Sequence, residues 1–140
     1  MELRQLTPRY FVSPQIAPED IPDIKAAGIT RILCNRPDPE VPPSHSAEAI
    51  RTAAEAAGLS FAERPLTHQS MVPEVIAENR ALGVESDDTV LAYCASGTRS
   101  TIAWALGQAG EMPADEIVAA ARSAGYDVSN IRHVLDRPFT

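Results

Sequence analysis

The sequence predicts an α/β fold: a mostly parallel sheet flanked by helices, with a cysteine loop at one strand-to-helix turn. Three observations carry this prediction. Short apolar runs rich in β-branched residues alternate with segments of helical periodicity. Gly, Pro and Ser punctuate the boundaries between them. Finally, the apolar run Thr89-Val90-Leu91-Ala92 passes through Tyr93-Cys94-Ala95-Ser96-Gly97-Thr98-Arg99-Ser100 into Thr101-Ile102-Ala103-Trp104-Ala105-Leu106, a buried strand feeding a helix. Strands that alternate with helices pair in parallel, because a parallel connection needs a long crossover.

Taken in order, Arg9-Tyr10-Phe11-Val12 reads as the first strand. Residues 18–27 read as a helix: Ile21, Ile24 and Ala27 share a face, and Gly28 stops it. Pro18 and Pro22 are compatible with it because they sit in or near its first turn. Ile29–Cys34 is the second strand. The prolines between Asn35 and Pro43 predict an extended loop without regular structure. Ser46 then caps a helix carrying Ala47, Ile50, Ala54 and Ala57 on one face, ended by Gly58. Ser60–Arg64 is the third strand, and the polar loop Thr67–Ser70 leads to a helix over 73–82. The strand to Tyr93 and a helix from Arg99 follow. Two short helices close the chain, one opened by Pro113 and Asp115, the other by Ser129 or Asn130.

A chain of 140 residues is the size of one domain, so residues 1–140 are expected to form a single unit. Such a chain buries about 70% of its unfolded surface and needs no covalent staples. The net charge of −7 argues against nucleic acid or an anionic membrane as partner. Two cysteines, Cys34 and Cys94, are too few for a disulfide scaffold. The first residues lack a charged-then-apolar leader, and no run approaches membrane-spanning length. A reducing, cytoplasmic setting is therefore expected. His45, His68 and His133 lack ligand-like spacing, so neither a metal nor a cofactor is expected.

The segment from Cys94 to Ser100 carries the chemistry. Backbone N–H groups of a small-residue loop opening a helix bind negative charge, and here Ala95, Ser96, Gly97 and Thr98 supply them. The same field favours a thiolate, which makes Cys94 the candidate nucleophile. Arg99 adds a planar fork suited to an oxyanion, and Ser100 is a candidate hydrogen-bond donor to the sulfur. In parallel sheets ligands bind beyond the carboxyl ends of the strands. The loops meeting there would also carry Arg36, Asp38, Thr67 and His68. Arg36 serves equally well to tie down its proline-rich loop. Cys34 reads by default as a buried structural residue, with a redox partnership to Cys94 as the alternative. Trp104 reads as core packing, and His45 and His133 as surface residues.

The stretches Leu6–Tyr10, Ile32–Asp38, Ala56–Leu59 and Tyr93–Ser100 together resemble the phosphatase-like domain family of the beta-lactamase-hydrolase-like proteins. In that family the domain is found fused to a metallo-hydrolase. The resemblance implies a protein-tyrosine-phosphatase-like fold of the dual-specificity kind, a cysteine nucleophile, and a functional link to a metallo-beta-lactamase-fold persulfide enzyme. Members are described either as phosphatase-like or as sulfurtransferases.

Two details point toward sulfur transfer. Four residues separate Cys94 from Arg99, one fewer than in a tyrosine-phosphatase loop and similar to the persulfide loop of rhodaneses. The position where dual-specificity phosphatases carry an aspartic acid, after Pro65-Leu66-Thr67, holds His68. Asp87 and Asp88 precede the intervening strand, up to about 20 Å from Cys94. Transfer between thiols needs no strong acid. The expectation is a sulfurtransferase that passes a sulfane sulfur from a small-molecule donor to an acceptor thiol through a Cys94 persulfide. The alternative is hydrolysis of a phosphate ester through a Cys94 phosphocysteine, with His68 as acid. An anion-binding module without turnover and a Cys34–Cys94 redox sensor are two further readings.

Overall fold

Neighbouring residues on the central strands point to opposite sides, and each side is covered by its own set of helices. The computed structural model describes residues 1–140. Its sheet has five strands in the order β1-β2-β5-β3-β4: β1 Arg4–Thr7, β2 Tyr10–Ser13, β3 Arg31–Cys34, β4 Ser60–Glu63 and β5 Val90–Tyr93. All neighbours pair in parallel except β1 with β2. Ile32, Cys34, Leu91 and Tyr93 face α1 (Ile21–Ala26) and α2 (Ala47–Ala56). Tyr10, Val12, Leu33, Val90 and Ala92 face the other side. That side is covered by α3 (Pro73–Leu82), α4 (Thr98–Gln108), α5 (Ala114–Ser123) and a closing 3₁₀ turn, Ser129–Val134. Trp104 on α4 is buried in this second core, as its place in the sequence indicates.

Several boundaries differ from the sequence-based expectation. Strand β1 was not anticipated, because Arg-Gln-Leu-Thr has no apolar run and buries only Leu6. It is an edge strand, with one side of its ladder unpaired and no need for two apolar faces. Strand β2 begins at Tyr10, β4 ends at Glu63, and α4 begins one residue before Arg99. Ala27 is exposed rather than packed: α1 ends at Ala26, and Gly28 turns the chain away with φ +94°. The proline-rich loop holds two short 3₁₀ turns, Asp38–Glu40 and Pro43–His45, each with proline in its first positions, where no backbone N–H is needed. The second closing helix is the 3₁₀ turn alone. At α2 the cap is as expected: the Ser46 hydroxyl accepts from the Ala49 N–H at 3.1 Å.

One polar bridge runs through the larger core. Asn35, fully buried at the end of β3, donates through Nδ2 to Asn79 Oδ1 on α3 at 2.8 Å and to the Arg64 carbonyl at 2.9 Å. Tyr10 is buried in the same core, and burial pushes the ionisation of its hydroxyl far up. A buried polar group left without its partner costs its full desolvation. Asn79→Ala is therefore expected to lower stability by about 1–3 kcal/mol, since it strands the buried Asn35 amide at the end of β3. Urea denaturation checks this, and a midpoint equal to the native one would refute it.

Candidate active site

The site lies at the C-terminal edge of the parallel strands, where the loops after β3, β4 and β5 meet. Cys94 follows β5 directly and is fully buried. The chain then turns at Gly97, which has φ +94° and immediately precedes α4. Side chains rarely adopt that backbone conformation. A Cβ at Gly97 would also collide with the Tyr126 hydroxyl and approach its Cζ to 2.8 Å. Glycine is required here on both counts. The turn brings the Gly97 N–H onto the Cys94 sulfur at 3.2 Å. The sulfur thus sits at the positive end of α4 with a backbone donor aimed at it.

The loop is braced from outside. The Ala95 carbonyl accepts from the Gln15 N–H at 3.1 Å, and the Ser96 carbonyl accepts from the Tyr126 hydroxyl at 2.8 Å. Within the loop, the Ser96 hydroxyl donates to Thr98 Oγ1 at 2.9 Å and accepts from the Thr98 N–H at 3.3 Å. Gly97 O accepts from the Thr101 hydroxyl at 2.8 Å. Ser100 is buried, and its hydroxyl donates to Asn35 Oδ1 at 2.9 Å. This corrects the expectation that Ser100 donates to the sulfur, for its single proton is committed to Asn35. The buried amide offers a better acceptor than a sulfur already served by Gly97.

A cavity of about 450 Å³ adjoins the loop, lined by Ala95, Ser96, Thr98, Arg99, Glu40, Thr67, His68 and Gln69. Arg99 forms a two-pronged pair with Glu40, Nη1 to Oε2 at 2.9 Å and Nη2 to Oε1 at 2.8 Å. Its Nη1 also donates to the Leu66 carbonyl at 2.8 Å. Hydrogen bonding by Arg99 holds the Glu40 carboxyl below the usual carboxylate range, and the same bonds push the Arg99 guanidinium up. His68 is exposed on the cavity wall.

Arg36 does not line the cavity. It donates through Nε to Glu40 Oε1 at 3.2 Å, through Nη2 to the Glu40 carbonyl at 3.1 Å and through Nη1 to Gln15 Oε1 at 3.2 Å. It therefore ties down the loop, turned toward Glu40 and Gln15 rather than into the cavity. Asp38 is likewise structural: its Oδ1 accepts from the Ala47 N–H at 2.8 Å, at the start of α2. Asp88 bonds Thr30 at 2.9 Å and pairs with Arg31 at 3.2 Å, at the far end of the strands from Cys94.

Both cysteines are free. Cys34 pairs in register with Tyr93, so the two share a sheet face, and alternation sends the next residue, Cys94, to the other. That geometry opposes a Cys34–Cys94 disulfide and removes the redox-sensor reading. Burial pushes the Cys34 thiol up, which suits a packed, inert residue. His133 is exposed and His45 half-buried. No group of three or more His, Cys, Asp and Glu side chains could hold a metal ion, and no helix is long and apolar enough to cross a membrane.

Sequence reasoning missed Glu40, Asn35 and Tyr126 as site residues. Glu40 carried a usable signal, a carboxylate in the loop that leaves β3 at the sheet edge. Tyr126 carried none, since it reaches the loop only through the packing of the C-terminal region.

Comparison with known proteins gives a consistent picture. The sequence model of the family described as "Beta-lactamase hydrolase-like protein, phosphatase-like domain" matches residues 2–111. A beta-lactamase hydrolase-like protein of Xylella fastidiosa is 29% identical, over 98% of this chain and 32% of the relative. The chain thus spans about a third of the length of the curated relatives it matches. A crystal structure from Neisseria meningitidis, of a protein named only provisionally as a phosphatase, is 35% identical with a TM-score of 0.84, covering 97% of each chain. The core catalytic domain of a PP-IP phosphatase from S. cerevisiae shares the fold at a TM-score of 0.71 and 11% identity, covering 97% of this chain and 84% of that one.

Gly97→Ala is expected to cost about 1–3 kcal/mol, from the unfavourable φ together with displacement of Tyr126. Thermal unfolding measures the loss. A variant as stable as the native protein would show that the left-handed turn is not needed.

Proposed function

The chain belongs to the phosphatase-like domain family of the beta-lactamase hydrolase-like proteins, and from that premise we propose that it is a phosphohydrolase acting on phosphate esters through a Cys94 phosphocysteine. The observation that carries this reading is the Gly97 N–H on the Cys94 sulfur at the start of α4, beside a cavity walled by Arg99. The protein-tyrosine-phosphatase-like fold and the phosphatase neighbours support it better than the sulfur transfer expected from loop length.

In the first step Cys94 Sγ attacks phosphorus and the bond from phosphorus to the leaving oxygen breaks. Arg99 and the loop N–H groups hold the non-bridging oxygens, where negative charge is concentrated. His68 stands on the cavity wall and gives its proton to the leaving oxygen. In the second step water attacks phosphorus, the P–S bond breaks, and His68 takes the proton of the water. The thiolate leaves as it entered, and phosphate is released. Asn35 acts on this site through Ser100, by fixing the first turn of α4.

Sulfur transfer keeps one observation in its favour, the four-residue spacing from Cys94 to Arg99. Intact-mass analysis separates the two reactions. Acid quenching during turnover of an aryl phosphate is expected to trap one phosphoryl group on Cys94. Gain of a single sulfur from thiosulfate or glutathione persulfide, with no phosphoryl adduct, would select sulfur transfer.

His68→Ala provides a second check. It is expected to reduce hydrolysis of alkyl phosphates by about 10²–10⁴-fold and that of p-nitrophenyl phosphate far less, because nitrophenolate leaves unprotonated. Equal losses for both substrates would remove His68 from the role of acid.

A further inference from the structure

We propose that Glu40 determines specificity: its carboxylate fills the Arg99 fork in the free protein, so only an oxyanion offering two acceptors can take its place. This deepens the phosphohydrolase reading and rests on it for the identity of the natural ligand, though the pairing itself belongs to the free protein.

The geometry is that of a ligand rather than of an incidental surface pair. Both carboxylate oxygens of Glu40 meet both terminal nitrogens of Arg99, at 2.9 and 2.8 Å. Parallel bonds of this kind are how a guanidinium holds a carboxylate or a phosphate. Glu40 and Arg99 both face the cavity that Ala95, Ser96 and Thr98 of the loop also line. The Arg99 side chain is only 11% exposed, so water cannot readily replace a lost partner.

The surroundings permit exchange. Arg99 keeps its bond to the Leu66 carbonyl when Glu40 departs, so the fork stays aimed at the cavity. Glu40 is 34% exposed and keeps Arg36 at 3.2 Å, so its charge is not stranded. A phosphate monoester presents three terminal oxygens and satisfies both nitrogens. A ligand with a single acceptor leaves one N–H of a mostly buried cation unpaired, which is costly. Neutral sulfur compounds cannot compete with Glu40 for the fork at all.

Calorimetric titration of the full chain with inorganic phosphate tests the proposal, using the native protein, Glu40→Gln and Glu40→Asp. The glutamine variant removes the charge. The aspartate variant keeps the charge but withdraws the carboxylate by about 1.5 Å. Both are expected to bind phosphate about tenfold more tightly than the native protein. Equal or weaker binding in both overturns the proposal. Tightening in Glu40→Gln alone also overturns it, since local charge rather than occupancy of the fork would then be responsible. If Glu40→Gln does not fold, Glu40→Asp carries the test by itself. Turnover of p-nitrophenyl phosphate is measured alongside. Tightening in both variants without any turnover would sink the phosphohydrolase reading and leave Glu40 in this role. Turnover with unchanged phosphate affinities would do the reverse.

Discussion

The left-handed turn at Gly97 is the constraint on which the site depends. It lets β5 pass into α4 within the few residues between Cys94 and Thr98, and so sets a buried thiol at the positive end of a helix. The N–H of the same glycine reaches the sulfur, while the Tyr126 hydroxyl lies where any side chain at residue 97 would begin. Backbone conformation and tertiary packing thus demand glycine together. The sheet supplies the other half of the constraint, since β5 lies between β2 and β3 and is paired along both edges.

Two polar systems hold this turn, one beneath it and one above. Below, Ser100, Asn35 and Asn79 join α4, the end of β3 and α3 through buried hydrogen bonds. Such a network is worth its desolvation only when every member is satisfied, and these amides are matched donor to acceptor. Above, Arg36, Glu40 and Arg99 join the proline-rich loop to the first turn of α4. The lower system is closed to solvent. The upper one borders the cavity and has exposed carboxylate, so it is the part a ligand can rearrange.

This division bears on the chemistry. A loop one residue shorter than that of tyrosine phosphatases still sets Cys94 beside a helix N-terminus and a guanidinium, the parts that stabilise an anion. In the proposed reaction the protonation of a leaving oxygen falls to His68 on the cavity wall, where hydrogen bonding by Arg99 holds the Glu40 carboxyl below the usual carboxylate range. The proposed phosphoester hydrolysis therefore depends on two loops from different strands, brought together only by the parallel arrangement of the sheet.

Much of this was legible in the residues themselves. The Cys94–Ser100 loop, the parallel strands and the bounds of α3 follow from local rules: apolar runs, glycine stops and proline starts act over a few residues. The edge strand β1 was invisible because an edge needs no apolar run. What the tertiary structure alone decided is where polar side chains spend their hydrogen bonds. Ser100 turns to Asn35 rather than to the sulfur, Arg36 secures its own loop, and Arg99 takes Glu40 from 59 residues away. Those choices follow from which acceptors packing brings within about 3 Å, and spacing along a chain carries no record of that.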